Sequence, residues 1–155
     1  MANKKRTKKV PEYVGWRSEL LAELALARLP NLKAYKLTDQ EPFDKLAVTD
    51  RGFCFFVMTR GFSSIASGIT NSDTLAELTY PCERGILERA RENQSPVVLF
   101  YFDADTDHGR YLRLDTMPDE DVEELRLPIE NTITKASVQK LIREMQAVPK
   151  TSRAS

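Results

Sequence analysis

The sequence predicts a single α/β domain built on a mixed sheet flanked by helices. Three observations carry that expectation. An apolar-periodic segment follows Pro11, residues 44–61 (DKLAVTDRGFCFFVMTRG) alternate as a β-hairpin does, and residues 96–102 (PVVLFYF) form the nearly continuous apolar run of a strand covered on both faces. The order reads helix, strands, helix, strands, helix. At 155 residues and 41% hydrophobic content, the chain holds enough apolar material for one core.

Pro11 opens a helix to about Arg28, with Val14, Leu20, Leu21, Leu24 and Leu29 as its apolar stripe and Pro30 as its stop. Glu19 and Glu23 lie one turn apart on it. A short strand at Ala34–Leu37 would flank the hairpin. In the hairpin, strands Asp44–Thr49 and Phe53–Arg60 meet at Asp50-Arg51-Gly52, where Gly52 supplies the positive φ of a bulged three-residue loop. That loop sets Thr49 opposite Phe53. Alternation then puts Asp44, Leu46 and Val48 on one face with Cys54, Phe56, Met58 and Arg60, and Asp44 directly across from Met58.

Residues 61–68 are rich in loop formers. Ser72 is expected to cap a short helical segment through Leu78, and Pro81 to start a helix to about Asn93 that turns Ile86, Leu87 and Ala90 inward. The apolar strand follows, then an acidic turn over Asp103–Gly109 and a partner strand over Tyr111–Leu114. Alternate acids at Asp103, Asp105 and Asp107 could surround calcium, but the glycine and distal glutamate of an EF-hand are missing from their places, so the stretch reads as a polar turn. His108 is the only histidine, which excludes His-based triads and multi-histidine metal sites, and beside Gly109 it reads as a surface residue. After an acidic loop at Asp119–Glu124, Pro128 confines Leu125–Ile129 to a sheet edge. Thr134 then caps a terminal helix with Val138, Leu141, Ile142 and Met145 on one face.

The 23 basic and 23 acidic residues balance, but unevenly. Lys4, Lys5, Arg6, Lys8 and Lys9 fall within the first ten residues, leaving 18 basic against 23 acidic for the rest. Residues 1–10 read as a basic disordered arm, either a phosphate-tracking arm or a solubilising tail, and residues 149–155 as a disordered tail. Cys54 and Cys82 are too few and too far apart for a metal or redox motif. No apolar run reaches the roughly 20 residues of a membrane span and no signal core follows the basic N-terminus, so a cytoplasmic location is expected.

Gly15-Trp16-Arg17-Ser18-Glu19 on the first helix, Asp44 at the start of the hairpin and Met58-Thr59-Arg60 on its second strand resemble the Gly-x-x-x-Glu, Asp and Glu-x-Lys positions of the PD-(D/E)XK restriction-endonuclease-like superfamily. Within it, the chain is similar to small bacterial domains of unknown function. The resemblance implies a three-layer sandwich with a central mixed sheet flanked by helices, filled by residues 11–148. It implies a site at Glu19, Asp44, Met58 and Arg60, with Asp44 and Glu19 as ligands to magnesium or manganese. In active relatives the carboxylates hold the cation that polarises the phosphate while the lysine orients the nucleophile. Here a thioether stands for the glutamate, and Arg60 keeps the charge without being able to give up a proton. The expectation is a catalytically degenerate domain that acts as a nucleic-acid-binding or accessory module, binding nucleic acid through Arg60, the basic arm and the loop after Gly61, with at most weak metal binding. Two alternatives stand beside it: an active nuclease whose missing carboxylate comes from Glu19, Glu23 or Glu41, and a protein-interaction module without nucleic-acid binding. A homodimer is compatible with each.

Overall fold

The fold is built outward from the apolar run. As expected for a strand with no polar alternation, Val97–Asp103 (β5) is buried along its whole length, between a parallel neighbour and an antiparallel one. The structure, a computed structural model, describes residues 10–38, 43–117 and 122–147. The basic arm, Glu41 and the C-terminal tail lie outside the described residues.

Helix α1 spans Glu12–Ala27 and is followed by β1 (Leu32–Lys36), β2 (Lys45–Thr49) and β3 (Cys54–Phe62). A short helix α2 (Ser64–Ser67) and a 3-10 turn lead to β4 (Glu77–Pro81), and α3 (Ile86–Glu92) leads into β5. Strands β6 (Gly109–Arg113) and β7 (Glu124–Pro128) and helix α4 (Lys135–Ala147) follow. The main sheet has the order β1-β2-β3-β5-β6 and is antiparallel throughout except for the parallel β3–β5 pair, while β4 and β7 form a separate antiparallel pair. Among the described residues this is a mixed α/β fold with a five-stranded mixed sheet, a two-stranded sheet and four α-helices.

One face of the main sheet packs Ala47, Phe55, Val57, Val98 and Phe100 against α1 and α4. The other packs Met58, Val97, Leu99 and Tyr101 against α3 and the β4–β7 pair. The second layer is therefore mostly sheet, with one seven-residue helix, rather than a layer of helices. Alternation explains it: Leu78 and Tyr80 on β4 and Leu125 and Leu127 on β7 are buried, and the residues between them are exposed or nearly so. The helix expected from Ser72 to Leu78 is thus a 3-10 turn over Ser72–Thr74 and then a strand, and Pro81 ends β4 instead of starting α3. Pro81 fits a strand end, where its missing N–H breaks no ladder. The inward set Ile86, Leu87 and Ala90 is as expected.

Helix α1 buries a different face from the one its large residues suggest. Val14, Ser18, Ala22, Ala25 and Leu26 face the sheet, while Leu20 and Leu24 are exposed by about half, as is Trp16. The reason lies in β3. A Cβ on Gly61 would overlap Ser18 Oγ and touch Val14, so helix and strand approach closely only through small residues. The terminal helix is capped as expected, by Thr134 Oγ1 accepting from the Ser137 N–H at 3.0 Å, with the Ser137 hydroxyl accepting from the Thr134 N–H in return.

Candidate functional site

The hairpin register follows from its three-residue loop. Gly52 takes a φ of +84°, the Thr49 N–H donates to the Phe53 carbonyl at 2.8 Å, and pairing runs regularly from Val48–Cys54 to Lys45–Val57. At Asp44 it departs from expectation. The Asp44 N–H donates to the carbonyl of Val57, the residue already paired with Lys45, so two residues of one strand oppose one of the other. Asp44 does not face Met58. Its carboxylate Oδ2 instead accepts from the Thr59 N–H at 2.6 Å, a donor that β2 leaves unpaired where it ends. Met58 is fully buried in the core on the α3 side, with Phe43 and Leu99.

Asp44 opens onto a cleft of about 430 Å³ between the N-terminal half of α1 and the end of β3, lined by Val14, Ser18, Glu19, Thr59 and Arg60 among others. The structure thus brings together Glu19, Asp44 and Arg60, and leaves Met58 out. Val10, the first described residue, lines the same cleft, so Lys8 and Lys9 precede it directly in the chain.

Each acid of the cleft already faces a cation. Arg60 Nη1 lies 3.1 Å from Asp44 Oδ2 and also donates to the Thr59 carbonyl, while its Nε donates to Glu83 at 2.9 Å. Glu19 Oε1 is 3.3 Å from Lys36 and 3.7 Å from Lys45, and Glu23 is 3.3 Å from Lys45. Lys45 is 2% exposed, so its ammonium is held where water compensates it little and the two glutamates do. Burial favours a neutral Arg60, but Glu83 and Asp44 outweigh it and raise the arginine further. In return the Arg60 hydrogen bond, aided by the Tyr80 hydroxyl, holds Glu83 below the usual carboxylate range against the effect of burial. Burial and the Glu83 contact push the Tyr80 phenol well above its usual range.

Comparison with known protein families, with curated proteins and with solved structures finds no match for this chain. The site therefore rests on its own geometry. Among the described residues, no group of three or more His, Cys, Asp and Glu side chains is placed to hold a metal ion. Two acids tied to three basic side chains do not fit a divalent cation's demand for uncompensated oxygens. Two buried hydroxyls at the cleft, Ser18 Oγ and Thr59 Oγ1, have no hydrogen-bond partner. Sequence reasoning missed both, since an unremarkable serine and threonine carry no motif.

The acidic turn is the opposite case. Asp103 is fully buried, and its two oxygens accept from the Ser64 and Asp105 N–H groups and from the Ser72 and Thr106 hydroxyls. Burial alone would raise its pKa, but the hydrogen bonds from Ser72, Ser64 and the Asp105 N–H hold it below the normal value. Asp105 accepts from Ser63, Tyr13 and the Ile65 N–H, and Asp107 accepts two hydrogen bonds from Arg17. The three acids thus tie the β5–β6 turn to α1 and α2 rather than surrounding one point. His108 is not a plain surface residue. Its Nε2 accepts from Arg110 Nε at 2.9 Å, and burial, then the Arg110 charge, lowers its pKa. Arg110 itself is fully buried and donates to the carbonyls of Ser72, Leu75 and Leu127.

Proposed function

We propose that the chain is a catalytically degenerate domain of the PD-(D/E)XK type that binds nucleic acid at the α1–β3 cleft without cutting it. One observation carries this reading: the acids expected to hold the metal are neutralised by side chains of the same molecule, Asp44 by Arg60 and Glu19 by Lys36 and Lys45. The mixed sheet, and a first helix whose glutamates reach the hairpin through Lys45, are in keeping with the restriction-endonuclease-like architecture. What the cleft offers a ligand is the partly exposed Arg60 guanidinium, and the basic residues 4–9 precede its lining residue Val10 in the sequence. These are groups that hold a phosphodiester.

Binding to labelled DNA and RNA across a salt series tests the reading. If all five basic residues of the arm engage duplex DNA, they contribute about −4.5 to the log-log salt slope, so deleting residues 1–9 weakens binding and flattens its salt dependence. Magnesium and manganese leave substrate intact. Cleavage by the unaltered chain, abolished by Asp44→Ala, would replace this reading with that of an active nuclease. The protein-interaction alternative has one observation in its favour, the exposed Trp16, Leu20 and Leu24 spaced one turn apart on α1. A protein complex insensitive to salt, with no nucleic-acid binding, would establish it instead.

A further inference from the structure

We propose that the end of the sheet remote from the cleft carries a second site, for the unpaired nucleotides of single-stranded nucleic acid. The inference rests on the nucleic-acid reading above, but on none of the residues that carry it. β2 runs from the cleft at Asp44 to the hairpin tip at Thr49, about 17 Å away at strand rise. Around that tip lie two adjoining hollows. One, of about 720 Å³, sits between the tip, the α1–β1 connection and α4, and the other, of about 520 Å³, extends onto β1. They share Pro30, Asn31, Leu32, Thr49 and Asp50, so together they make one path around the end of the sheet.

The charges along this path differ in kind from those of the cleft. Lys33, Arg51 and Arg143 are exposed, line the hollows, and form no ion pair with a described carboxylate, while Asp50 is the one acid in either lining. Three cations without a carboxylate partner among the described residues attract an anion. Two aromatic rings line the same hollows, Tyr35, which is 53% exposed, and the partly exposed Phe53. Cations that follow a backbone, interleaved with rings on which bases stack, are the elements of single-strand recognition, and the amides of Asn31 and Gln139 can meet base edges. An acidic peptide would use the cations but leave the rings and amides unmatched. A duplex would keep its bases from the rings.

Photo-crosslinking of the full chain to a twelve-residue oligothymidylate carrying 4-thiothymine, mapped by mass spectrometry, tests the site. Adducts at Tyr35, Phe53 or their neighbours are expected. In fluorescence anisotropy, Tyr35→Ala and the pair Arg51→Gln, Arg143→Gln each weaken oligothymidylate binding about tenfold. Arg51 and Arg143 have no ion-pair partner among the described residues to lose, so the melting temperature of the double variant stays at the wild-type value, and Tyr35→Ala leaves duplex binding unchanged. Crosslinks confined to Val10 and the cleft would overturn the second site while leaving the proposed function standing. Absence of binding to any nucleic acid would overturn both. Preferential binding of a polyglutamate twelve-mer, lost in the arginine double variant, would overturn the single-strand assignment in favour of an acidic protein partner.

Discussion

The cleft and the acidic turn each gather carboxylates and hydroxyls onto the N-terminal half of α1, and they treat them in opposite ways. At the turn every acid is saturated: Asp103 alone accepts from four donors, none of them a charged side chain. At the cleft the acids are matched by cations, while two buried hydroxyls have no partner. Saturation of buried polar atoms is the rule in folded proteins, so a saturated cluster explains itself as structure. Unmatched hydroxyls buried in the wall of a cleft do not. Acid count alone would have chosen the turn as the functional site, whereas hydrogen-bond accounting chooses the cleft.

Asp103→Ala gives the largest expected effect, because it removes a buried acceptor from two backbone N–H groups and two hydroxyls together. A loss of about 3 kcal/mol or more is expected in chemical denaturation. The same group makes a pH signature. Its folded pKa lies below the unfolded value of about 3.9, so its contribution is fully present above that value and fades as pH falls through the folded pKa. Below about pH 4 the wild type should therefore lose stability more steeply than Asp103→Asn. Parallel acid limbs for the two proteins would show that the Asp103 cluster does not hold the turn.

Gly61→Ala ranks next. An added Cβ overlaps Ser18 and presses on Val14, forcing α1 off β3 at about 1–3 kcal/mol. Pairing it with Ser18→Gly should recover part of that loss, since Oγ and Cβ leave together. Independent, additive losses would mean that the contact is not what sets the helix position. Arg60→Ala has a smaller effect, about 1 kcal/mol, because its ion pairs with Asp44 and Glu83 are partly exposed. Its sharper readout is metal binding. With Arg60 gone, Asp44 is uncompensated, and calorimetry should detect manganese binding that the wild type lacks. No gain would indicate that Arg60 is not what neutralises the site. Met58→Glu cannot serve the same purpose, since it would put a carboxylate into the apolar core rather than beside Asp44.

Much of the fold was legible where one physical rule dominates. β5 follows from an unbroken apolar run, the hairpin register from Gly52, and α4 from its stripe and its Thr134 cap. The misses occur where two rules compete. In α1, leucine at positions 20 and 24 outranks Ser18 and Ala22 in hydrophobicity, yet close approach to Gly61 selects the smaller residues for burial. In Glu77–Pro81, period-2 alternation was present, but Ser72 and Pro81 suggested helix starts and concealed it. At the candidate site, Glu19, Asp44 and Arg60 were named from the resemblance, and the bulge at Asp44 was not foreseen, because it arises from the end of strand pairing and not from any residue type. The saturation of Asp103 depends on Ser64 and Ser72, more than 30 residues away, and long-range polar matching leaves no local pattern.

The smallest expected effect tests the comparison most directly. Thr59→Val keeps the shape of the side chain and deletes a hydroxyl that the fold leaves unpaired, so stability should hold or rise by up to about 1 kcal/mol. An equivalent deletion at the turn, Ser72→Ala, strips a donor from Asp103 and should destabilise. The cleft hydroxyl is expected to show its value only with ligand present: DNA affinity should fall severalfold in Thr59→Val while the unliganded melting temperature does not fall. That separation is the mark of a group retained for binding at a small expense in stability. If Thr59→Val instead melts several degrees lower with affinity intact, its hydroxyl is satisfied in solution, and the distinction between the two clusters disappears.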